Sequence, residues 1–137
     1  MYISVIAVFK NNYSELLLCT RTNEPYQGLI DLVGGKSEEG ENGFECAYRE
    51  LQEETGITSD AITLMHLLDI DYKQSRHTVG VYFGCLHREV VLVEEVNPLF
   101  WSSLDQDFGN ASVYSGSGYL SLVINEIKTL VKSTANT

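Results

Sequence analysis

The sequence predicts an α/β domain, a mixed β-sheet with helices packed on both faces. Three observations point there. Strand-like segments come in two groups, and a helix-like segment follows each group. Both helix-like segments carry one apolar stripe at helical spacing. No repeat, linker or low-complexity stretch divides the chain, and its 137 residues suffice for one core but not two. Residues 1–137 therefore read as a single domain.

Tyr2 to Phe9 is rich in Val and Ile, and Asn11-Asn12 follows as a turn. Glu15 to Thr20 is a second short apolar run, so the pair reads as a hairpin. Thr22 to Gly28 holds Asn, Pro and Gly and reads as a loop. Leu29 to Val33 is a brief strand that stops at Gly34-Gly35, and Lys36 to Glu41 is a polar loop. A helix starts at Asn42, a good N-cap, and Glu45 completes a capping-box pattern. Phe44, Ala47, Tyr48 and Leu51 form its core-facing stripe, and Gly56 closes it. Ile62 to Asp71 and Thr78 to Leu86 look like a strand pair. Val90 to Val93 and Leu99 to Trp101 are further strand candidates, and Asp105 to Gly118 is loop-like. Leu120, Val123, Ile124, Ile127, Leu130 and Val131 mark a second amphipathic helix, with Ser117 as its cap. Ser133 to Thr137 reads as a frayed end.

Charge narrows the partners. The formal net charge of −10 disfavours general binding to nucleic acid or to an anionic membrane, both of which want basic patches. An anionic small substrate stays open if a metal bridges the like charges. The three cysteines, Cys19, Cys46 and Cys85, are far apart and fit neither a disulfide framework nor a metal spacing. A reducing, cytoplasmic setting is expected. Met1 to Phe9 is too short for a membrane span and lacks a signal peptide's layout.

The chemistry concentrates in residues 35 to 57. Glu50, Glu53 and Glu54 stand at i, i+3 and i+4 and share one helix face. Alone, that pattern favours a solvated face. Crowded carboxylates also suit a hard cation such as Mg²⁺ or Mn²⁺, which takes oxygen ligands. The apolar stripe lies roughly 120° around the helix, so one face is anchored while the other presents acids. Arg49 precedes Glu53 by four positions, within reach of its carboxylate.

This stretch resembles the box of the Nudix hydrolase family: Gly, five residues, Glu, seven residues, Arg-Glu-apolar, one residue, Glu-Glu, one residue, Gly-apolar. Gly35, Glu41, Arg49, Glu50, Leu51, Glu53, Glu54, Gly56 and Ile57 fill every fixed position. A chance match is on the order of one in ten billion per starting point at average residue usage. The preceding Gly28 to Lys36 looks like the Gly-Leu-Trp-x-x-Pro-Gly-Gly-Lys run of MutT-type members, with Ile30 where Trp is common and Val33 where Pro is common.

The resemblance implies an α/β/α sandwich. It also implies Mg²⁺- or Mn²⁺-dependent hydrolysis of a nucleoside diphosphate linked to another group. Glu50, Glu53 and Glu54 look like the metal ligands, with the main-chain carbonyl of Gly35 as another. Arg49 looks like an orienting partner, and Glu41 like a tie between loop and helix. MutT-type members often carry a further glutamate six residues before a Trp. Glu95 stands six before Trp101, as an added ligand or general base, with Glu94 as its rival. Both could equally be charged protection of a sheet edge. Arg21 looks like a phosphate contact or a plain surface residue. Asn110 is placed only by fold position, as a base-edge contact or a turn residue.

A MutT-like nucleoside triphosphate pyrophosphohydrolase, with oxidised nucleotides as one case, comes first among the implied functions. ADP-ribose hydrolysis is weakened because no proline follows the box where such members carry one. Tyr72 keeps dinucleoside polyphosphates open. A non-catalytic module that senses a nucleotide is the alternative of another class, and capped RNA ends fit the charge poorly. The expected partner is a small nucleotide, and the expected state is a monomer or homodimer. His66, His77 and His87 read as structural or surface residues, Cys46 as a small packing residue, and Trp101 and Tyr82 as core.

Overall fold

The computed structural model describes residues 1–116 and 118–135. Ser117, read as a helix cap, lies outside the described residues, as do 136 and 137. The elements are β1 (Tyr2–Lys10), β2 (Glu15–Thr20), β3 (Ile30–Asp31), β4 (Val33–Lys36), α1 (Gly43–Thr55), β5 (Met65–Tyr72), β6 (His77–Cys85), β7 (Leu99–Ser103) and α2 (Tyr119–Ala135). The sheet runs β3-β2-β1-β6-β5, with β4 added to β1 and β7 added to β2. β1 and β6 are parallel, whereas the other pairs are antiparallel, so the sheet is mixed.

Alternation along β1 explains why two helices are needed. Val5, Ala7 and Phe9 face one side, where they pack with Leu120, Val123, Ile124 and Ile127 of α2. Ile6 and Val8 face the other, with Ala47 and Leu51 of α1. Each apolar sheet face is thus covered by a helix stripe, which is the predicted sandwich.

β1 also forks the sheet. Its first half, Ile3 to Ile6, pairs with β4, and its end, Phe9 and Lys10, pairs with β2. The run read as one strand from Leu29 to Val33 is therefore two. Ile30 and Asp31 pair with β2, the chain crosses at Leu32, and Val33 to Lys36 pairs with β1. The strand does not stop at the glycines. A Cβ on Gly34 would lie 2.1 Å from the Ser4 carbonyl oxygen, so glycine is what lets these backbones approach.

Other differences have local reasons. Ile62 and Leu64 are buried but precede β5; the Leu64 amide donates to the Tyr48 hydroxyl at 2.8 Å instead of joining a ladder. Val90 to Val93 is no strand. The Val93 amide bonds the Thr55 carbonyl at the end of α1, and Val91 is 87% exposed. Phe44 is not in the core: it is 43% exposed and meets Tyr82 edge-on at 5.1 Å. Cys46 takes the inward position beside Ala47 and Leu51 and is fully buried, as a packing residue should be. Trp101 is half-buried beneath the Lys10 ammonium, 4.4 Å from the ring centre. Residues 133–135, read as frayed, continue α2. Among the described residues, no helix is long and apolar enough to cross a membrane.

Candidate active site

α1 is built to hold its acids still. The Asn42 side chain accepts from the Glu45 amide at 2.9 Å, and Glu45 accepts from the Asn42 amide at 2.9 Å. Gly56, at φ 79°, closes the helix through its amide to the Gln52 carbonyl. Burial of Leu51 contributes about 1.5–3 kcal/mol, more than one surface ion pair, so packing fixes the helix and leaves its charged face free for chemistry.

Arg49 organises that face. Its Nε and Nη2 donate to the two oxygens of Glu41 at 2.6 and 2.9 Å. Nη2 also reaches the Lys36 carbonyl at 2.9 Å, and Nη1 reaches Glu50 at 2.9 Å and Glu53 at 3.0 Å. The two-point clamp therefore falls on Glu41, eight residues back, and the i+4 partner Glu53 receives one bond. Glu41 ties the loop as expected, since it also accepts from the Glu38 amide at 2.9 Å. The Arg49 hydrogen bonds pull the Glu41 carboxyl down to about 2, and Glu41 in turn raises Arg49 further above its ordinary value.

Glu50 and Glu54 behave oppositely. Burial pushes Glu54 up to about 7, although the Gly34 amide donates to it at 2.9 Å. Burial also raises Glu50, against the pull of Arg49. Glu54 has no ion-pair partner among the described residues, and Glu50 shares the Arg49 guanidinium with Glu41 and Glu53. The Glu50 carboxylate lies on the bare Cα of Gly35: a Cβ there would meet its atoms at 2.3–2.5 Å. The Cys46 thiol donates to the Gly35 carbonyl at 3.5 Å. Among the described residues, no three acidic, histidine or cysteine side chains already converge as a metal-holding group. The donors are nevertheless of the kind a hard cation takes, and the burial that raises Glu50 and Glu54 marks the charge it would relieve.

A cleft of about 730 Å³ runs past Gly34, Gly35, Lys36 and Glu54. Arg21 lines it; its Nε donates to the Pro25 carbonyl at 2.9 Å and its Nη1 stands 3.6 Å from Asp31. Val96 and Asn97 line it, beside the exposed Glu95, which has no hydrogen-bond or ion-pair partner among the described residues. Glu94 is engaged, since it accepts from the Leu99 amide at 2.6 Å. Asn110 sits away from the cleft lining, in a turn where its side chain accepts from the Ser112 amide and hydroxyl. His77, read as structural or surface, lines the cleft with Tyr72 stacked on it at 5.0 Å and 22°. His66 pairs with Asp69 and His87 with Thr63, away from the cleft. Sequence reasoning missed Tyr26, Asp31 and Tyr119, which also line the cleft. Only Asp31, inside the Gly28 to Lys36 run, had a signal nearby.

The sequence profile of the NUDIX domain matches residues 2–112. The chain is 29% identical over 84 residues to the 8-oxo-dGTP diphosphatase of Escherichia coli, covering 61% of this chain and 64% of that one. It is 32% identical over 71 residues to an ADP-ribose pyrophosphatase of Methanocaldococcus jannaschii, covering 51% and 42%. These alignments span less than two thirds of either relative's length. In fold it is similar to an Ap4A hydrolase of C. elegans in a binary complex, with TM-score 0.76, 17% identity and coverage of 96% and 98%. It is also similar to the NUDIX domain of Shewanella oneidensis NrtR complexed with ADP ribose, with TM-score 0.72, 16% identity and coverage of 96% and 88%. At such identities these likenesses speak for the fold alone. The complete acid box and the profile match over most of the chain lead to one assignment: the chain belongs to the NUDIX domain family.

Proposed function

We propose that the chain hydrolyses nucleoside diphosphates linked to another group, and first nucleoside triphosphates in the manner of MutT, oxidised ones included. One observation carries the reading. The cleft that holds Glu54 and the box glycine Gly35 also holds Arg21 and several aromatic side chains, and its volume of about 730 Å³ suits a small molecule such as a nucleotide. Glu50, Glu53, Glu54 and the Gly35 carbonyl would hold Mg²⁺ or Mn²⁺. The bound ion would supply an activated water and offset charge developing at phosphorus.

The chain's own groups do the rest. Arg49 fixes Glu50 and Glu53 through Nη1 while Glu41 fixes Arg49, so the acids keep one arrangement. Arg21 has its Nη2 left for a phosphate oxygen, because Nε and Nη1 are directed to Pro25 and Asp31. Glu95, unpaired among the described residues and next in the chain to the cleft-lining Val96, serves as an added ligand or as the base that takes the water's proton. The partner is a small nucleotide, which the net charge of −10 leaves open where a metal bridges the like charges.

A second reading is a dinucleoside polyphosphate or ADP-ribose substrate. Tyr72 in the cleft favours the first. The test is a nucleotide panel with Mg²⁺, scoring phosphate against pyrophosphate release. Pyrophosphate from nucleoside triphosphates is the expected product. Turnover that persists in excess chelator would contradict the metal assignment. Tight nucleotide binding with no turnover would point to a sensing module.

A further inference from the structure

Two loops at the cleft rim are joined through the side chain of Asn97. β2 and β7 pair as far as Cys19 and Leu99, and the Thr20 amide then donates to the Pro98 carbonyl at 3.0 Å. Two residues on, the Asn97 side chain supplies the next acceptor. Its Oδ1 accepts from the Thr22 amide at 3.2 Å and from the Thr22 hydroxyl at 2.8 Å. A backbone N–H can only donate, so the oxygen of the Asn97 amide must face Thr22 and the nitrogen must face away.

The oriented amide leaves a donor group without an acceptor. Nδ2 of Asn97 carries two N–H groups and has no hydrogen-bond partner among the described residues. Asn97 is half-buried, but among the described residues no buried side-chain nitrogen lacks a partner, so Nδ2 reaches solvent. Asn97 lines the same cleft as Arg21, Gly35 and Glu54. The loop that carries Arg21 is braced as well: the Gly28 amide donates to the Arg21 carbonyl at 2.8 Å, and Arg21 Nε to the Pro25 carbonyl at 2.9 Å. A guanidinium and a neutral amide on one braced rim make a donor pair for an oxyanion. Donors aimed before the ligand arrives lose little freedom on binding it.

Resting on the nucleotide reading above, we propose that Asn97 binds the substrate's phosphate chain, its Nδ2 donating to a phosphate oxygen while Thr22 holds its Oδ1 and so aims it. Asn97→Asp separates the two ends of this side chain. The aspartate keeps an acceptor for both Thr22 groups and puts an anionic oxygen where the donor stood. A merely structural Asn97 would tolerate that change, whereas a phosphate contact would not.

The test needs no turnover. Inorganic pyrophosphate, a phosphate chain without sugar or base, is titrated with Mg²⁺ into each protein by calorimetry. Asn97→Ala and Asn97→Asp should each weaken binding by about 10–100-fold, the usual weight of a hydrogen bond to a charged group. Asn97→Asp should melt close to the wild type and Asn97→Ala below it. Thr22→Val keeps the amide and loses the hydroxyl, so the donor is aimed by one bond and binding should weaken by about two- to tenfold. Asn23→Asp puts the same charge on the same rim and should weaken binding by no more than about fivefold, the reach of an exposed charge pair. Wild-type affinity in Asn97→Asp, or a loss no larger than that of Asn23→Asp, overturns the proposal. So does a wild type that binds no pyrophosphate. The predicted losses without hydrolysis of any nucleotide would sink the hydrolytic reading and leave the role of Asn97 standing. Nucleotide hydrolysis with pyrophosphate affinity indifferent to Asn97 would do the reverse.

Discussion

Glu54→Gln should stabilise the metal-free protein while removing its turnover. Glu54 is partly buried, and its carboxyl is raised from 4.5 to about 7, chiefly by that burial. A carboxyl whose folded value lies above its unfolded one penalises the folded state whenever it is ionised. The penalty is full above pH 7, shrinks as pH falls towards 4.5, and is gone below that. The two values correspond to roughly 3 kcal/mol at pH 8, at about 1.36 kcal/mol for each tenfold. Residual solvent contact trims this to about 1–3 kcal/mol. Glutamine keeps an oxygen for the Gly34 amide and carries no charge, so it escapes the penalty. For a chain of this size the variant's Tm at pH 8 should rise by about 3–12 °C.

The assay is thermal unfolding of both proteins in excess chelator, at pH 8 and at pH 4.5. The gap should be present at pH 8 and closed at pH 4.5. Because every other acid is common to both proteins, their difference isolates Glu54. Adding Mg²⁺ should raise the wild type and leave the variant nearly unmoved. A variant no more stable than the wild type at pH 8 would refute the claim that Glu54 is a destabilised charge awaiting a cation.

Three further outcomes follow from the geometry. Arg49→Lys cannot keep the two-point clamp on Glu41 and the contacts to Glu50, Glu53 and Lys36 together, so kcat/KM should fall by about 10–100-fold, with near-native circular dichroism. Gly35→Ala places a Cβ inside the Glu50 carboxylate contact, so activity should fall and stability drop by about 1–3 kcal/mol in urea unfolding. Glu95→Gln should slow turnover far more than Glu94→Gln, whose side chain still accepts from the Leu99 amide; the opposite order in steady-state kinetics would move the role to Glu94.

Much of α1 was legible because its signals are local. Asn42, Glu45 and Gly56 specify its ends within a few residues, and the spacing of Glu50, Glu53 and Glu54 specifies a shared face. Periodicity says less about partners. Val90 to Val93 has strand composition, but the Val93 amide goes to the Thr55 carbonyl and no ladder forms. Phe44 has the right spacing for the core, yet Cys46 fits the space between α1 and the Gly35 backbone. Leu29 to Val33 reads as one strand because nothing in its own composition shows that β2 takes one half and β1 the other.

The sequence by itself determined the box, the helix that carries its acids Glu50, Glu53 and Glu54, and the α/β class. Tertiary structure alone decided a wall of the cleft. Asp31 meets Tyr119 across 88 positions, Tyr72 stacks on His77, and Arg21 turns towards Asp31. Helix and strand periods report which side chains share a face, whereas a pocket is made where separate faces converge. That convergence depends on strand order and on the fork at β1, which no local spacing encodes.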